Sequence, residues 1–248
     1  MINKNIHVKY ISEPYSVWVI DNFLQTEVLK KIQKEWPNSN SNVWHGGHGY
    51  VNNEKNILEQ GMLSLDRLED MPQHIAELIK KIHTDEFTQK ISKITGVEDL
   101  ITDFSRRWSG VRVMCKDSFQ AIHSDARRNP ETGYRKELTC LVYFNKNWKK
   151  EDVGQFEVWD DDMNNCVHKI EPIENRLVIF LNTDKSYHGV PEVKSERRSI
   201  TWSLLKDGDS DDRSKALFVA RPNDDEKINE LGRQRAYIKD NNYDKGEM

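Results

Sequence analysis

In the segment AIHSDAR, His123 and Asp125 stand two residues apart, so on an extended strand an imidazole and a carboxylate point to the same side and can converge on one ion. His188, in SYHGVPEV, offers a third donor of a fitting kind. Two neutral imidazoles and one carboxylate occupy one face of a six-coordinate ion and leave the opposite positions open to reacting ligands. An HxD triplet alone often arises by chance and usually marks a surface turn, so its company decides the reading. That company is Arg197, nine residues beyond His188 (197 − 188), with Ser199 on the same polar side of the next strand. A planar guanidinium beside a hydroxyl suits a carboxylate held by paired, charge-assisted hydrogen bonds.

Neighbouring residues compete for these roles. Arg198 falls on the face of Ile200 and Trp202, which is expected to pack against helices. His168, in NCVHKIEP, has Lys169 beside it and no arginine at a suitable distance after it, and it reads as a solvated strand residue. His45 and His48, in WHGGHGY, have no local carboxylate or thiol and read as a Gly-rich loop, able to touch substrate if it folds over a cavity mouth. Trp108 reads as a core residue and Arg106 and Arg107 as surface residues, with substrate contact as the alternative. Asp160 to Asp162 read as a polar turn, and Arg221, Arg233 and Arg235 as exposed arginines.

The elements that must position the donors follow from periodicity. SVWVIDNF (16–23) reads as a strand, and from Thr26 the residues Val28, Leu29, Ile32 and Trp36 form one helical stripe ended by Pro37, after which a loop is expected. Pro72 opens a helix with Ile75, Leu78, Ile79 and Ile82 on one face. A second helix, capped by Thr84 or Asp85 and ended by Gly96, carries Phe87, Ile91 and Ile94. Strands are predicted at 110–115, 137–144, 154–159, 166–171, 176–181 and 197–205. In ELTCLVYF, Leu138, Cys140, Val142 and Phe144 share an apolar face, opposite Glu137, Thr139, Leu141 and Tyr143. Ile200, Trp202 and Leu204 likewise oppose Arg197, Ser199 and Thr201, so two strands with one polar face each can line a wet cavity.

With these residues in place, the chain resembles a 2-oxoglutarate and Fe(II)-dependent dioxygenase of the prolyl 4-hydroxylase type. The likeness rests on HSD at 123–125, LTCLVYFNKNW at 138–148, GQFEVW from Gly154, YHGV around His188 and RRSITW at 197–202, in family order, with VWVIDNFL resembling the family's opening. It implies His123, Asp125 and His188 as iron ligands, and Arg197, assisted by Ser199, at the distal carboxylate of 2-oxoglutarate. Tyr143 sits where hypoxia-factor prolyl hydroxylases have a tyrosine that reaches the same carboxylate, and Thr201 matches a threonine on the arginine strand. The strand before HSD departs from the pattern, with Met114 or Arg112 in place of a cofactor-side tyrosine.

The resemblance also implies the fold: a mainly β, α+β domain, a double-stranded β-helix or distorted jelly roll, with amino-terminal helices on the larger sheet. One oxygenase domain is expected over 1–248, with a strand and supporting helices at 1–100, a catalytic core at 108–205 and a loop and helix extension at 206–248. Fe(II), 2-oxoglutarate and O2 are the implied cofactors, with ascorbate as a further one. The expected reaction is hydroxylation of a protein prolyl or peptidyl residue, giving succinate and CO2, and the carboxylate of Asp125 favours this over halogenation. A free amino acid or other small metabolite is the alternative substrate, and a non-catalytic jelly-roll binding module the alternative of another class.

Composition sets the frame. The 248 residues carry 37 Lys+Arg against 41 Asp+Glu, a net charge of −4, which argues against a chain built to neutralise nucleic acid or lie on anionic lipid. Cys115, Cys140 and Cys166 cannot all pair, lack CxxC spacing, and read as reduced, buried thiols. No run of 18 apolar residues and no signal-peptide pattern is present, so a soluble, cytoplasmic protein is expected, its oligomeric state left open.

Overall fold

The computed structural model describes residues 1–4, 6–46, 50–51, 57–208, 217–219 and 221. His48, Arg233, Arg235 and most of the loop and helix extension expected at 206–248 lie outside the described residues. In chain order the strands of the first half are β1 (His7–Ile11), β2 (Val17–Asp21), β3 (His45–Gly46), β4 (Tyr50–Val51), β5 (Ile57–Leu65) and β6 (Ile101–Thr102). Then come β7 (Gly110–Ser124), β8 (Arg135–Tyr143), β9 (Phe156–Trp159), β10 (Cys166–Ile170), β11 (Leu177–Leu181), β12 (His188–Val190), β13 (Arg197–Lys206) and β14 (Leu217–Val219). The helices are α1 (Thr26–Glu35), α2 (Gln73–Ile82) and α3 (Asp85–Thr95).

The strands form an antiparallel path β1-β2-β11-β8-β13-β7-β12-β9-β10, with β5 and β14 also on β7. β7 does the turning. Its Gly110–Met114 stretch pairs with β13, while Gln120 and His123 pair with β12, so one strand carries the sheet round from one layer to the next. The result is the curled, mainly β jelly roll, a double-stranded β-helix with helices on one side.

Local chemistry explains the helices. Thr84 Oγ1 accepts from Phe87 N at 3.3 Å to start α3, and Gly96, at φ +74°, ends it with its N–H on Ser92 O at 2.8 Å. Ile75, Leu78, Ile79 and Ile82 of α2 are all buried, and each such side chain contributes about 1.5–3 kcal/mol. They meet Ile20, Leu138, Cys140, Val142, Ile179, Ile200 and Trp202 in one cluster. Phe87 sets its edge on Trp202, ring centroids 6.0 Å apart. In β2 and β11, Trp18, Ile20, Leu177 and Ile179 join this cluster while Val17, Val19, Val178 and Phe180 join a second one inside the curl. Strands buried on both faces read as unbroken apolar runs, as VWVI and LVIF do.

Several expectations are corrected. The stretch after Pro37, expected as a loop, contains β3, β4 and β5, and β5 pairs with β7 from Glu59↔Gln120 to Leu65↔Val111. The strand expected at 110–115 runs on through His123 to Ser124, because the left-handed Asp117 (φ +66°) irregularises it without ending it. β1 and β12 carry too few alternating residues to stand out in sequence. The three cysteines are free, but only Cys140 is buried and the other two are half-buried. No helix among the described residues is long and apolar enough to cross a membrane.

Candidate active site

β7 and β12 bring the three donors together. His188 pairs in register with His123, and their rings lie 4.1 Å apart centroid to centroid. Asp125 follows immediately beyond β7, and its Oδ1 stands 3.6 Å from His123 Nε2 and 3.8 Å from His188 Nε2. One donor atom from each residue lies within 4.8 Å of the others. Metal bonds of roughly 2.0–2.2 Å from three donors on one face need spacings of this order, so the set fits one divalent ion after small adjustments.

Each imidazole is oriented from behind. His123 Nδ1–H donates to Ala121 O at 3.0 Å and His188 Nδ1–H to Ser186 O at 2.8 Å, which leaves both Nε2 lone pairs facing Asp125. Burial pushes the His123 pKa down to about 3, with His188 adding to the effect and Asp125 opposing it. Burial lowers that of His188 as well, against the pull of Asp125. Both rings are therefore neutral at pH 7, the form that ligates metal. For Asp125, burial acts to raise the pKa, but Lys136, then His188 and His123, outweigh it and hold the carboxyl well below its usual range. Phe180 and Phe156 wall His188 at ring distances of 4.5 and 5.3 Å.

The triad opens into a cavity of about 250 Å³ whose wall also includes Arg197, Ser199, Thr201, Thr139, Met114 and Trp108. Arg197 is only 4% exposed. Its Nε donates to Gly154 O at 2.9 Å and its Nη2 to Tyr143 Oη at 3.0 Å, and no carboxylate among the described residues pairs with it. Burial lowers its pKa, countered by Tyr143. A buried cation without an anion is costly, and an anionic ligand entering the cavity relieves that cost. Gly154 makes the approach possible: at φ +86° its added Cβ would lie 2.6 Å from Val193 Cγ1 and 3.4 Å from Arg197 Cδ.

The residues singled out in sequence fall into groups. Ser199 and Thr201 are in the cavity wall, as are both Met114 and Arg112, the latter also bonded to Asp66. Tyr143 is fully buried behind Arg197 and is not part of the wall. Arg198 reaches over the Trp36 ring on the helix side, as its parity implies. His168 is a half-buried residue of β10 whose ring meets Glu13 O. Trp108 is not a core residue: it is half-buried in the cavity wall, 4.2 Å beneath Lys136 Nζ. Arg107 touches the same wall, while Arg106 is exposed. Arg221, expected as an exposed arginine, instead bonds the buried Glu157 at 3.0 Å and Gln120 O at 2.7 Å. The sequence assigns no role to Lys136, whose ammonium donates to Asp125 Oδ2 at 3.1 Å, because it stands between Arg135 and Glu137 at the polar start of β8 and nothing there singles it out.

Residues 109–203 match the family model described as the 2OG-Fe(II) oxygenase superfamily. A search of curated proteins finds no significant sequence match. Among solved structures, a Pseudomonas putida prolyl-4-hydroxylase aligns at TM-score 0.56 and 19% identity, over 79% of this chain and 95% of its own. A Trichoplax adhaerens prolyl hydroxylase, in complex with a hypoxia inducible factor oxygen degradation domain peptide fragment, aligns at 0.57 and 19% over 77% and 83%. A prolyl 4-hydroxylase from Phytophthora capsici aligns at 0.52 and 19% over 88% and 68%. Residues 109–203 thus match a 2OG-Fe(II) oxygenase domain, and the chain has a prolyl 4-hydroxylase-like fold.

Proposed function

We propose that the protein is a 2-oxoglutarate and Fe(II)-dependent dioxygenase that hydroxylates a prolyl or other peptidyl residue, with His123, Asp125 and His188 holding Fe(II) and Arg197 holding the distal carboxylate of 2-oxoglutarate. The observation that carries this reading is the pairing, within one cavity, of three converging metal donors with a buried arginine that has no carboxylate partner among the described residues. Bound Fe(II) supplies the oxidation of a substrate C–H by O2, coupled to decarboxylation of 2-oxoglutarate to succinate and CO2, one oxygen atom entering each organic product.

The chain's own part is orientation and shielding. Nδ1–H bonds to Ala121 O and Ser186 O fix both imidazoles, and Phe156 and Phe180 screen His188 from water. Tyr143 steadies Arg197 from behind through its hydroxyl. Ser199 and Thr201, from the same wall, add hydroxyls beside the cosubstrate carboxylate. Ascorbate serves as an auxiliary reductant and the cytoplasm as the compartment.

A cavity of about 250 Å³ accommodates the cosubstrate and one inserted side chain, which supports a peptide presenting a single residue. The peptide complex of the Trichoplax neighbour supports the same class. The test is mass spectrometry of proline-containing peptide libraries and of amino-acid and metabolite pools, incubated with enzyme, Fe(II), ascorbate and 2-oxoglutarate. A gain of one oxygen atom in peptides is the expected result; a gain confined to a free amino acid or metabolite would replace the peptidyl assignment.

A further inference from the structure

The two oxygens of the Asp125 carboxylate have different surroundings. Oδ1 faces the imidazole nitrogens at 3.6 and 3.8 Å. Oδ2 accepts from Lys136 Nζ at 3.1 Å and from Thr139 Oγ1 at 3.0 Å, and Thr139 is itself held by Asn182 Nδ2 at 3.0 Å. The Lys136 side chain is 5% exposed, and its ammonium sits 4.2 Å over the Trp108 ring. Placing an ammonium there requires desolvating it, which a carboxylate and an aromatic face offset only in part.

The backbone departs from regularity at the point where Lys136 is delivered. β13 pairs with β8 as Leu204↔Leu138 and then as Leu205↔Lys136, so Glu137 has no residue opposite it. On unbroken alternation Lys136 would share the face of Leu138, Cys140 and Val142, under the helices. The irregularity turns it into the cavity side, as bulges beside active sites re-aim single side chains.

We propose that Lys136, together with Thr139, is a positioning residue that makes Asp125 a one-oxygen metal ligand; the inference rests on the metal reading given above. A carboxylate with both oxygens unengaged can take two positions on an ion. With Oδ2 occupied by two donors, Asp125 offers Oδ1 alone and leaves room for a keto acid binding through two oxygens. The ammonium also adds positive charge beside the pocket, which favours a dianion.

The test uses Co(II) as the probe and the full chain. Cobalt is titrated into wild type, Lys136→Met, Thr139→Val and His188→Ala by calorimetry, and 2-oxoglutarate is then titrated into each cobalt-loaded protein. His188→Ala loses cobalt affinity by about tenfold or more. Lys136→Met and Thr139→Val still bind cobalt one to one, but their affinity for 2-oxoglutarate falls about tenfold or more. An affinity within about twofold of wild type in folded Lys136→Met overturns the positioning role. If Lys136→Met does not fold, Thr139→Val decides by the same criterion, because it removes one holder without removing charge or volume. A wild type that takes up no cobalt, or a His188→Ala that binds it equally well, overturns the metal reading itself, a result the 2-oxoglutarate titration of the other two variants cannot produce.

Discussion

The two faces of β8 and β13 offer a comparison inside one molecule, because a single stretch of backbone carries both. Leu138, Cys140, Val142, Ile200, Trp202 and Leu204 face the helices, whereas Thr139, Leu141, Arg197, Ser199 and Thr201 face the cavity. Both faces are buried, but they use burial for opposite ends. Toward the helices it removes apolar surface from water, and volume is what counts. Toward the cavity it holds imidazoles neutral, strips water from Arg197 and sharpens every charge, so single atoms count. The lesson is that damage to one face should be read as stability and damage to the other as ligand affinity, with little crossover.

The largest break comes at the triad: His188→Ala should bring succinate release to background while urea unfolding of the metal-free protein stays cooperative. On the opposite face, Trp202→Ala removes a side chain that is 1% exposed and should cost about 3–5 kcal/mol by urea denaturation. The folded fraction should keep the wild-type affinity for 2-oxoglutarate; a loss there would dissolve the separation of faces. Arg197→Ala should raise the KM for 2-oxoglutarate on the order of 100-fold, roughly 2.7 kcal/mol, with cobalt binding retained.

Tyr143→Phe sharpens the comparison at one atom. It deletes only the hydroxyl that Arg197 Nη2 bonds at 3.0 Å, so KM should rise a few-fold, worth about 1 kcal/mol, with kcat nearly unchanged. Smallest is a pH effect on the helix side. Burial lowers the pKa of His83, which is held between Ile79 O at 2.7 Å and Ser109 Oγ at 2.8 Å. The unfolded chain takes up a proton below about pH 6.5 that folded His83 resists, so stability should decline as pH falls through that value. His83→Gln should flatten part of the decline, measured as urea midpoints between pH 7 and pH 5.

Much of this comparison was legible in sequence because strand alternation has a period of two. ELTCLVYF and RRSITW sort their residues by parity, and the same parity separates Arg197 from Arg198. Thr84 and Gly96 announced α3 through capping chemistry that acts locally. What escaped was set by irregularity or by distant pairing. Lys136 changes face through one unopposed residue in β8, which no alternation rule registers. Arg221 is half-buried because Glu157, far away in sequence, pairs with it, and composition alone makes it look like any surface arginine. β5 owes its place to β7 and not to a pattern of its own.

The central claim, that three donors hold iron beside a seat for a dicarboxylate, is tested most directly by following 2-oxoglutarate consumption and succinate release in the presence and absence of Fe(II), with wild type and His188→Ala side by side. The account predicts iron-dependent succinate from wild type and none above background from His188→Ala. Succinate formation that needs no added or bound iron, or equal formation by the two proteins, would contradict it.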